Sequence, residues 1–457
     1  MIHQDTIVAL ATPSGAGAIA IIRLSGNKAI AIASEVFNSK SKKELSLQKS
    51  HTVHLGNIVD NHRIIDEVLA TIFKNPHSYT GEDVVEFSCH GSAYIQQEIL
   101  QLLLRKGARM ATSGEFTLQA FLNGKMDLSQ AEAVADLIAS DSKASHQLAI
   151  QQMRGGFSSE IKLLREELLN FASLIELELD FAEEDVEFAN RDDFQKLISK
   201  ITILLKKLLD SFATGNVLKN GIPVAIVGRP NSGKSTLLNA LLNEDRAIVS
   251  NIAGTTRDTI EDDISIGGIR FRFIDTAGLR ETTDEIEKIG VARALEKLEN
   301  SSIYMYLFDC SEMSLEEVKK ELQGFSTSSK QIIVANKIDK ASEKQLSILE
   351  NSDLEVLFIS AKEKESLESL TDNLLEKAEI SALDSNQLMV TNSRHYDILG
   401  KSLEEIIKVQ EGIDSNLSGD LLAIDLRQAL YYLGEITGEV SNDELLGNIF
   451  ANFCIGK

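Results

Sequence analysis

The chain has 457 residues, 46 of them basic and 69 acidic, for a net charge of −23; at about 100–200 residues per domain, one core cannot account for that length, and about three domains are expected. Apolar residues make up 43% and charged residues 25%, which excludes a disordered or collagen-like chain, and the acidity excludes a generally basic nucleic-acid binder, since phosphate contacts need clustered Lys and Arg. Cys89, Cys310 and Cys454 lie too far apart for a disulfide framework, so a reducing cytoplasm is the default compartment. The uncharged stretch from Thr6 to Ile22 is broken by Pro13, Ser14, Gly15 and Gly17, and no basic residue precedes it. It fits neither a secretory signal nor a membrane span.

In chain order, residues 1–121 read as mixed strands and helices, with β-branched runs at Ile19–Ile22 and Val84–Phe87 and a helical run near Ile95–Leu104. From Leu128 to Asp210 Gly is sparse and Pro absent. Ile161, Leu164, Leu168, Phe171, Ile175 and Leu179 recur at helical spacing, predicting long amphipathic helices in a bundle. The acidic run Glu183-Glu184-Asp185-Val186-Glu187 reads as a solvated face or loop rather than a metal site. Gly221 and Pro223 break the helical pattern. Apolar strands follow at Val224–Val227, Phe271–Ile274, Ile303–Phe308, Ile332–Ala335 and Val356–Ile359, a doubly wound α/β unit of about 160 residues. Helical, acidic character returns through Leu399–Val409 and Leu421–Leu433. The shared composition of the two flanks predicts one helical domain, 122–217 plus 381–457, interrupted by an α/β domain over 218–380. Charge is uneven: residues 1–121 carry 11 basic and 11 acidic side chains, 218–380 carry 20 against 29, and the rest 15 against 29. Any nucleic-acid contact is therefore local or borrowed from a partner.

The segment Gly228-Arg229-Pro230-Asn231-Ser232-Gly233-Lys234-Ser235-Thr236 matches the phosphate-loop spacing, after a strand and before a helix. Its glycines let backbone N–H groups close around phosphate oxygens, Lys234 reaches the β- and γ-phosphates, and Ser235 binds Mg²⁺. Thr256, in Gly254-Thr255-Thr256-Arg257-Asp258, offers a second Mg²⁺ hydroxyl. Asp275-Thr276-Ala277-Gly278 places a carboxylate for a Mg²⁺-bound water and an N–H for the γ-phosphate. In Asn336-Lys337-Ile338-Asp339 the carboxylate can accept two hydrogen bonds from guanine, a pattern adenine lacks. Ser360-Ala361-Lys362 supplies backbone around the base. The order of these pieces makes GTP the ligand. The position after Asp275-x-x-Gly278, where Ras-like GTPases hold a water-orienting Gln, is Leu279, so one of the carboxylates within Glu281–Glu287 must serve instead. Asn231 is either a turn residue or a ligand for a monovalent cation beside the β–γ bridge.

These motifs resemble the translation-factor-related GTPases over about 160 residues. The whole chain resembles the MnmE (TrmE) family of tRNA-modification GTPases. The resemblance is carried by Asp5-Thr6-Ile7-Val8-Ala9, Arg23-Leu24-Ser25-Gly26, Tyr79-Thr80-Gly81-Glu82-Asp83, Gly114-Glu115-Phe116-Thr117, Ala120–Leu128 and the terminal Cys454-Ile455-Gly456-Lys457. It implies a homodimer with a mixed α+β folate-binding and dimerisation domain (1–121), a discontinuous helical bundle and an inserted P-loop GTPase domain. It also implies that, with an FAD-containing MnmG (GidA) partner in a heterotetramer, the protein installs an aminomethyl or carboxymethylaminomethyl group at C5 of wobble uridine 34, the tRNA being held mainly by that partner. By the same resemblance, 5-formyl- or 5,10-methylene-tetrahydrofolate would meet Arg23, Glu86, Lys125 and Lys457. Potassium would sit on Asn231, Ser250, Ile252 and Thr255, promoting G-domain dimerisation, and Glu287 would be the catalytic carboxylate.

A folate's glutamate tail suits Arg and Lys, and its pterin edge suits a carboxylate. Cys454 is open to three readings: nucleophile, contact to the one-carbon unit, or packing residue. Cys89 and His90 adjoin on a strand, so they point to opposite faces and read as structural. Two alternatives stand beside the leading one: a ribosome-assembly GTPase, which predicts a basic appendage, and a regulatory switch without folate chemistry.

Overall fold

A computed structural model describes residues 5–180, 191–242, 261–275, 301–324, 330–378, 388–415, 417–451 and 453–456. Two compact units are present. The first comprises Met1–Ala135, Gln152–Ile198 and Glu404–Lys457, the second Asp136–Gln151 and Ser199–Leu403.

The first unit opens with β1 (Ile7–Leu10), β2 (Ile19–Ser25), α1 (Ala29–Val36), β3 (Phe37–Ser39), β4 (Thr52–Asp60), β5 (Arg63–Phe73), β6 (Val84–His90), α2 (Ala93–Arg105) and β7 (Arg109–Met110). They form a sheet of order β3-β4-β5-β6-β2-β1-β7, in which only the β1–β7 pair is parallel. Side chains alternate across it. Ile22, Leu24, Val68, Ile72 and Phe87 enter a core shared with Ile99 and Leu103 of α2, and the intervening Arg23 and Glu86, directly opposed in register, project from the other face. Cys89 and His90 separate as expected. The Cys89 thiol is buried against the Ala20 carbonyl at 3.4 Å, and burial, then the charge of Asp66, pushes it up to about 11; the His90 ring faces solvent with Nδ1 2.7 Å from Asp66.

Helices follow: α3 (Glu115–Leu122), α4 (Leu128–Ala139), α5 (Lys143–Met153), α6 (Gly156–Asp180) and α7 (Arg191–Asn220). The periodic stripe lies on α6, where Ile161, Leu164, Leu168 and Ile175 are buried and Phe171 stacks on Phe194 at 5.2 Å between ring centres. Residues 183–187 and the Leu179 side chain lie outside the described residues.

The second unit's sheet is built from β8 (Ile222–Val227), β9 (Glu261–Ile266), β10 (Ile269–Asp275), β11 (Ile303–Asp309), β12 (Lys330–Asn336) and β13 (Val356–Phe358), with α8 (Lys234–Leu242), α9 (Leu315–Leu322) and α10 (Glu343–Glu350) between them and α11 (Leu367–Lys377) after the last. The order is β13-β12-β11-β8-β10-β9, parallel except for the β9–β10 hairpin. β11 is buried along its whole length, as a parallel strand covered on both faces must be. Apolar cores lie on either side, one with Val224, Phe271, Met305 and Leu370, the other with Tyr306, Phe308 and Val318. β9, which begins with three acidic residues, has no strand signature; its partner is fixed by the Gly267-Gly268 turn, both glycines at positive φ (61° and 82°). That turn is anchored within the same unit: Ala144 N–H donates to Gly268 O at 3.1 Å, and Arg270 pairs with Asp141 at 2.6 Å.

The chain continues through α12 (Ser393–Asp414), α13 (Gly419–Thr437) and α14 (Asp443–Ala451). In the first unit α13 lies along α6, where Arg165 Nε donates to Leu430 O at 3.4 Å. Leu446, Phe450 and Phe453 bury against Leu128 and Ala131, which brings residues 453–456 to α3. There the Gly114 N–H donates to Cys454 O at 3.4 Å and Ser113 bridges Ile455. Gly114 sits at φ 65°, and a Cβ there would meet Phe450 O at 2.8 Å. No helix among the described residues is long and apolar enough to cross a membrane.

Glu115 fixes the start of α3. Its carboxylate accepts from Arg109 Nη1 at 3.2 Å and Nη2 at 2.5 Å, and from Thr112 N at 2.7 Å. Burial raises this carboxyl, but the Arg109 and Thr112 hydrogen bonds outweigh it and hold it below the usual range. A carboxyl lowered in the fold stabilises above its unfolded pKa and loses that contribution as pH falls through the folded one. Glu115→Gln should therefore destabilise the first unit by about 1–3 kcal/mol at neutral pH, and the gap should narrow in acid. Hydrogen exchange of α3 amides at both pH values checks this.

Candidate functional site

β8 lies between β10 and β11, so connections leave it in opposite directions and the loops after β8, β12 and β13 meet at the carboxyl ends of the strands, where α/β sheets bind ligands. The first of these loops is Gly228–Gly233. Asn231 (φ 62°) and Gly233 (φ 101°) turn it back into α8. A Cβ on Gly228 would stand 1.9 Å from Leu307 O, and one on Gly233 2.2 Å from Asn336 Nδ2, so no side chain fits at either place. The buried Lys234 ammonium donates to Gly228 O at 2.6 Å and Arg229 O at 3.1 Å, which stretches it along the loop it would share with phosphates. Ser235 and Thr236 are exposed on the first turn of α8. The Ser232 hydroxyl is buried and, among the described residues, has no hydrogen-bond partner. Unshared polar groups, turned backbone and a helix N-terminus suit an anion.

The base-side loops are locked to this one. Asn336 Nδ2 donates to Ser232 O at 2.8 Å while its Oδ1 accepts from Ala361 N at 3.0 Å. Lys337 adopts a left-handed backbone (φ 67°), and its ammonium donates to Asp309 Oδ2 at 2.6 Å. Asp309 also accepts from Ser311 N and Oγ; burial raises its carboxyl, but the Lys337 and Ser311 bonds prevail and leave it below the usual range. Asp339 is exposed, and Ser360 Oγ donates to its Oδ1 at 2.6 Å, fixing the carboxylate's orientation. Ser360 and Ala361 are buried; Lys362 is exposed and paired with Glu363 at 3.0 Å.

One feature of the loop has no signature in its motif. Arg229 is tied to α9, its Nε 2.6 Å from Glu321 and its Nη1 3.3 Å from Glu317, while Tyr306 Oη donates to the other Glu321 oxygen at 2.7 Å.

Ser250, Ile252, Thr255, Thr256, Thr276, Ala277, Gly278, Leu279, Glu287 and Lys457 lie outside the described residues, as does the Asp275 side chain.

A second cluster lies in the first unit. Arg23 Nε donates to Glu86 Oε1 at 2.7 Å, and its Nη1 to Gly456 O at 3.4 Å. The guanidinium lies 5.6 Å from the ring centres of both Tyr79 and Phe116, a desolvated setting that strengthens cation–π contact. Tyr79 Oη pairs with Thr117 at 2.9 Å. Lys125 reaches the same loop further along, donating to Pro76 O at 3.0 Å; Asn123 Nδ2 donates to Thr80 O at 2.7 Å. Cys454 is exposed. Tyr79 and Phe116 were not singled out in the sequence, although both stand inside motifs that were.

Asn336→Ala should leave Ser232 O and Ala361 N unpaired in a buried place, costing about 1–3 kcal/mol each. The expected result is a loss of GDP affinity by roughly tenfold or more, measured by titrating a fluorescent guanine nucleotide.

Residues 128–454 match the model of the MnmE helical domain, and residues 6–125 the model of the GTP-binding protein TrmE N-terminus. Relatives named tRNA modification GTPase MnmE include one from Flavobacterium psychrophilum, 64% identical with all of both chains covered, and one from Christiangramia forsetii, 63% identical with 99% of each covered. Among solved structures, Aquifex aeolicus Era bound to GDP·AlF4⁻ is 27% identical over 40% of this chain and 66% of its own, with a TM-score of 0.28. Full-length identity at this level, on a phosphate loop joined to a guanine-side loop, establishes that the chain belongs to the MnmE family of tRNA modification GTPases.

Proposed function

We propose that this GTPase couples nucleotide hydrolysis to a one-carbon transfer onto the wobble uridine of tRNA, in a homodimer that works with an FAD-containing MnmG-type partner. The observation that carries this reading is the Arg23–Glu86 pair. It is a cation and a carboxylate, only 16% and 23% exposed, on the sheet face opposite α1 and α2, walled by two aromatic rings and by the Gly456 carbonyl. A reduced folate has matching parts: a flat ring with donor and acceptor edges, and an anionic glutamate tail. Glu86 would take the ring's amino edge, while Arg23, Lys125 and Lys457 would take anionic or carbonyl groups. The folate, when bound, supplies the carbon; the chain's own residues orient it and exclude water. Cys454 is a further candidate for contact with that carbon.

At the nucleotide, Lys234 and the loop amides would hold phosphates, with Ser235, Thr256 and Asp275 arranging Mg²⁺ and its water. Asp339 would hold guanine, with Asn336, Lys337, Ser360, Ala361 and Lys362 supporting it. Asn231, Ser250, Ile252 and Thr255 would accept K⁺, a fixed charge in place of an arginine finger. Both readings of Asn231 have support: its left-handed backbone is that of a turn residue, and its place in the loop is that of a cation ligand. With Leu279 unable to orient water, Glu287 would do so, and G-domain dimerisation promoted by K⁺ and GTP would activate hydrolysis. The domain limits 1–121, 122–217, 218–380 and 381–457 belong to the same proposal, as does a cytoplasmic location.

Arg23→Ala should lower 5-formyltetrahydrofolate affinity by roughly tenfold or more, the cost of a charge-assisted hydrogen bond, without changing GTP turnover. Equilibrium dialysis of the full chain reads it, and unchanged binding defeats the folate assignment. Glu287→Ala should slow GTP hydrolysis by about 10²–10⁴-fold with nucleotide affinity near that of the parent, and replacing K⁺ by Na⁺ should slow the parent. A collapse of affinity would make Glu287 structural.

A further inference from the structure

The turn joining β3 to β4 is a basic stretch of a strongly acidic chain. Between residues 40 and 54 stand Lys40, Lys42, Lys43 and Lys49 against Glu44 alone, and Lys74 joins them from the end of β5 by donating to Ser46 O at 3.1 Å. Lys40 pairs with Glu67. Lys42, Lys43 and Lys49 are exposed and, among the described residues, make no ion pair. The turn and β4 enclose an open groove of about 910 Å³, lined by Lys40, Lys43, Lys49, Gln48 and His54 over a floor that includes the exposed Leu47 and Val53.

The geometry points to this groove as the place where the chain itself touches the phosphate backbone of tRNA. Three observations select that occupant. Residues 1–121 carry no net charge while the remainder is strongly negative, so a polyanion meets least repulsion there. Unpaired surface lysines are free to replace condensed counterions on phosphates without breaking an internal bond. No Phe, Tyr or Trp lines the groove, and the one ring there, His54, is hydrogen-bonded to Thr52 at 2.9 Å, so the groove offers at most a single small stacking surface and contact falls mainly on phosphate and ribose, which position RNA without reading its sequence. The site therefore holds folded tRNA of any sequence, complementing whatever grips the anticodon.

The test uses the full chain with Lys42→Glu, Lys43→Glu and Lys49→Glu combined, and a control with the same charge change at Lys206, Lys207 and Lys344. Binding of purified total tRNA is followed by fluorescence anisotropy across a KCl series. The first variant should lose affinity by about tenfold or more near 0.1 M salt, and the slope of log affinity against log salt should become shallower by about two. The control should bind as the parent does, and GTP turnover should be the same in all three. No tRNA binding by the parent at low salt, an equal loss in the control, or an unchanged affinity in the first variant would overturn the assignment. The last result would be that of a groove occupied by an acidic protein segment instead.

Discussion

The Asn336 carboxamide holds the nucleotide end of the second unit together. One side chain at the end of β12 joins two loops, donating a hydrogen bond to Ser232 O and accepting one from Ala361 N. Around it the backbone is cut to fit. Gly233 carries no side chain because the Asn336 amide occupies that space, and Lys337 turns left-handed immediately afterwards so that its ammonium reaches Asp309. The loop after β8 and the loops after β12 and β13 thus share one set of buried bonds, and neither side can shift without disturbing the other. Burial does the rest: Cys310, beside this network, donates to Asn336 O at 3.0 Å, and its thiol is pushed up to about 11 by desolvation and by the neighbouring Asp309 charge, which keeps it a packing group.

The first unit solves a different problem with different means. Its sheet keeps one face dry under α1 and α2, the other face carries a smaller apolar cluster of Ile7, Ala9, Ala111 and Phe116, and the Arg23–Glu86 pair is placed on that second face by strand register alone. A shift of one residue in β2 would bury the Arg23 guanidinium in the core. The aromatic walls come from elsewhere, Tyr79 from the loop before β6 and Phe116 from α3, the latter positioned by the buried Glu115 and its half-exposed partner Arg109.

Much of this was legible in the sequence because it rests on local rules. The phosphate loop, the strand runs of the second sheet and the apolar stripe of α6 are periodic or spaced patterns whose cause is the pleat or the helical turn. What escaped was non-local. The long antiparallel pair β4 and β5 gave no strong run, since each strand alternates between a buried and an open face. β9 starts with Glu261-Asp262-Asp263 and is a strand only because the Gly267-Gly268 turn folds it onto β10. The Arg229 tie to Glu317 and Glu321 joins positions 88 and 92 residues apart, and the aromatic sandwich around Arg23 depends on tertiary packing that spacing does not encode. Thr256 was read from motif order and Glu287 only from the family resemblance, and both lie outside the described residues.

The wall that Gly456 contributes to the Arg23 pocket has a temporal side. Donor and acceptor are separated by 433 residues, so at ordinary ribosomal speed the strand is made on the order of 20–90 s before its partner. During that interval the sheet can close and its core can dry, while the pocket lacks one edge. A polypeptide released before Gly456 would own a folded sheet and an intact loop after β8, yet leave the Arg23 guanidinium without this carbonyl.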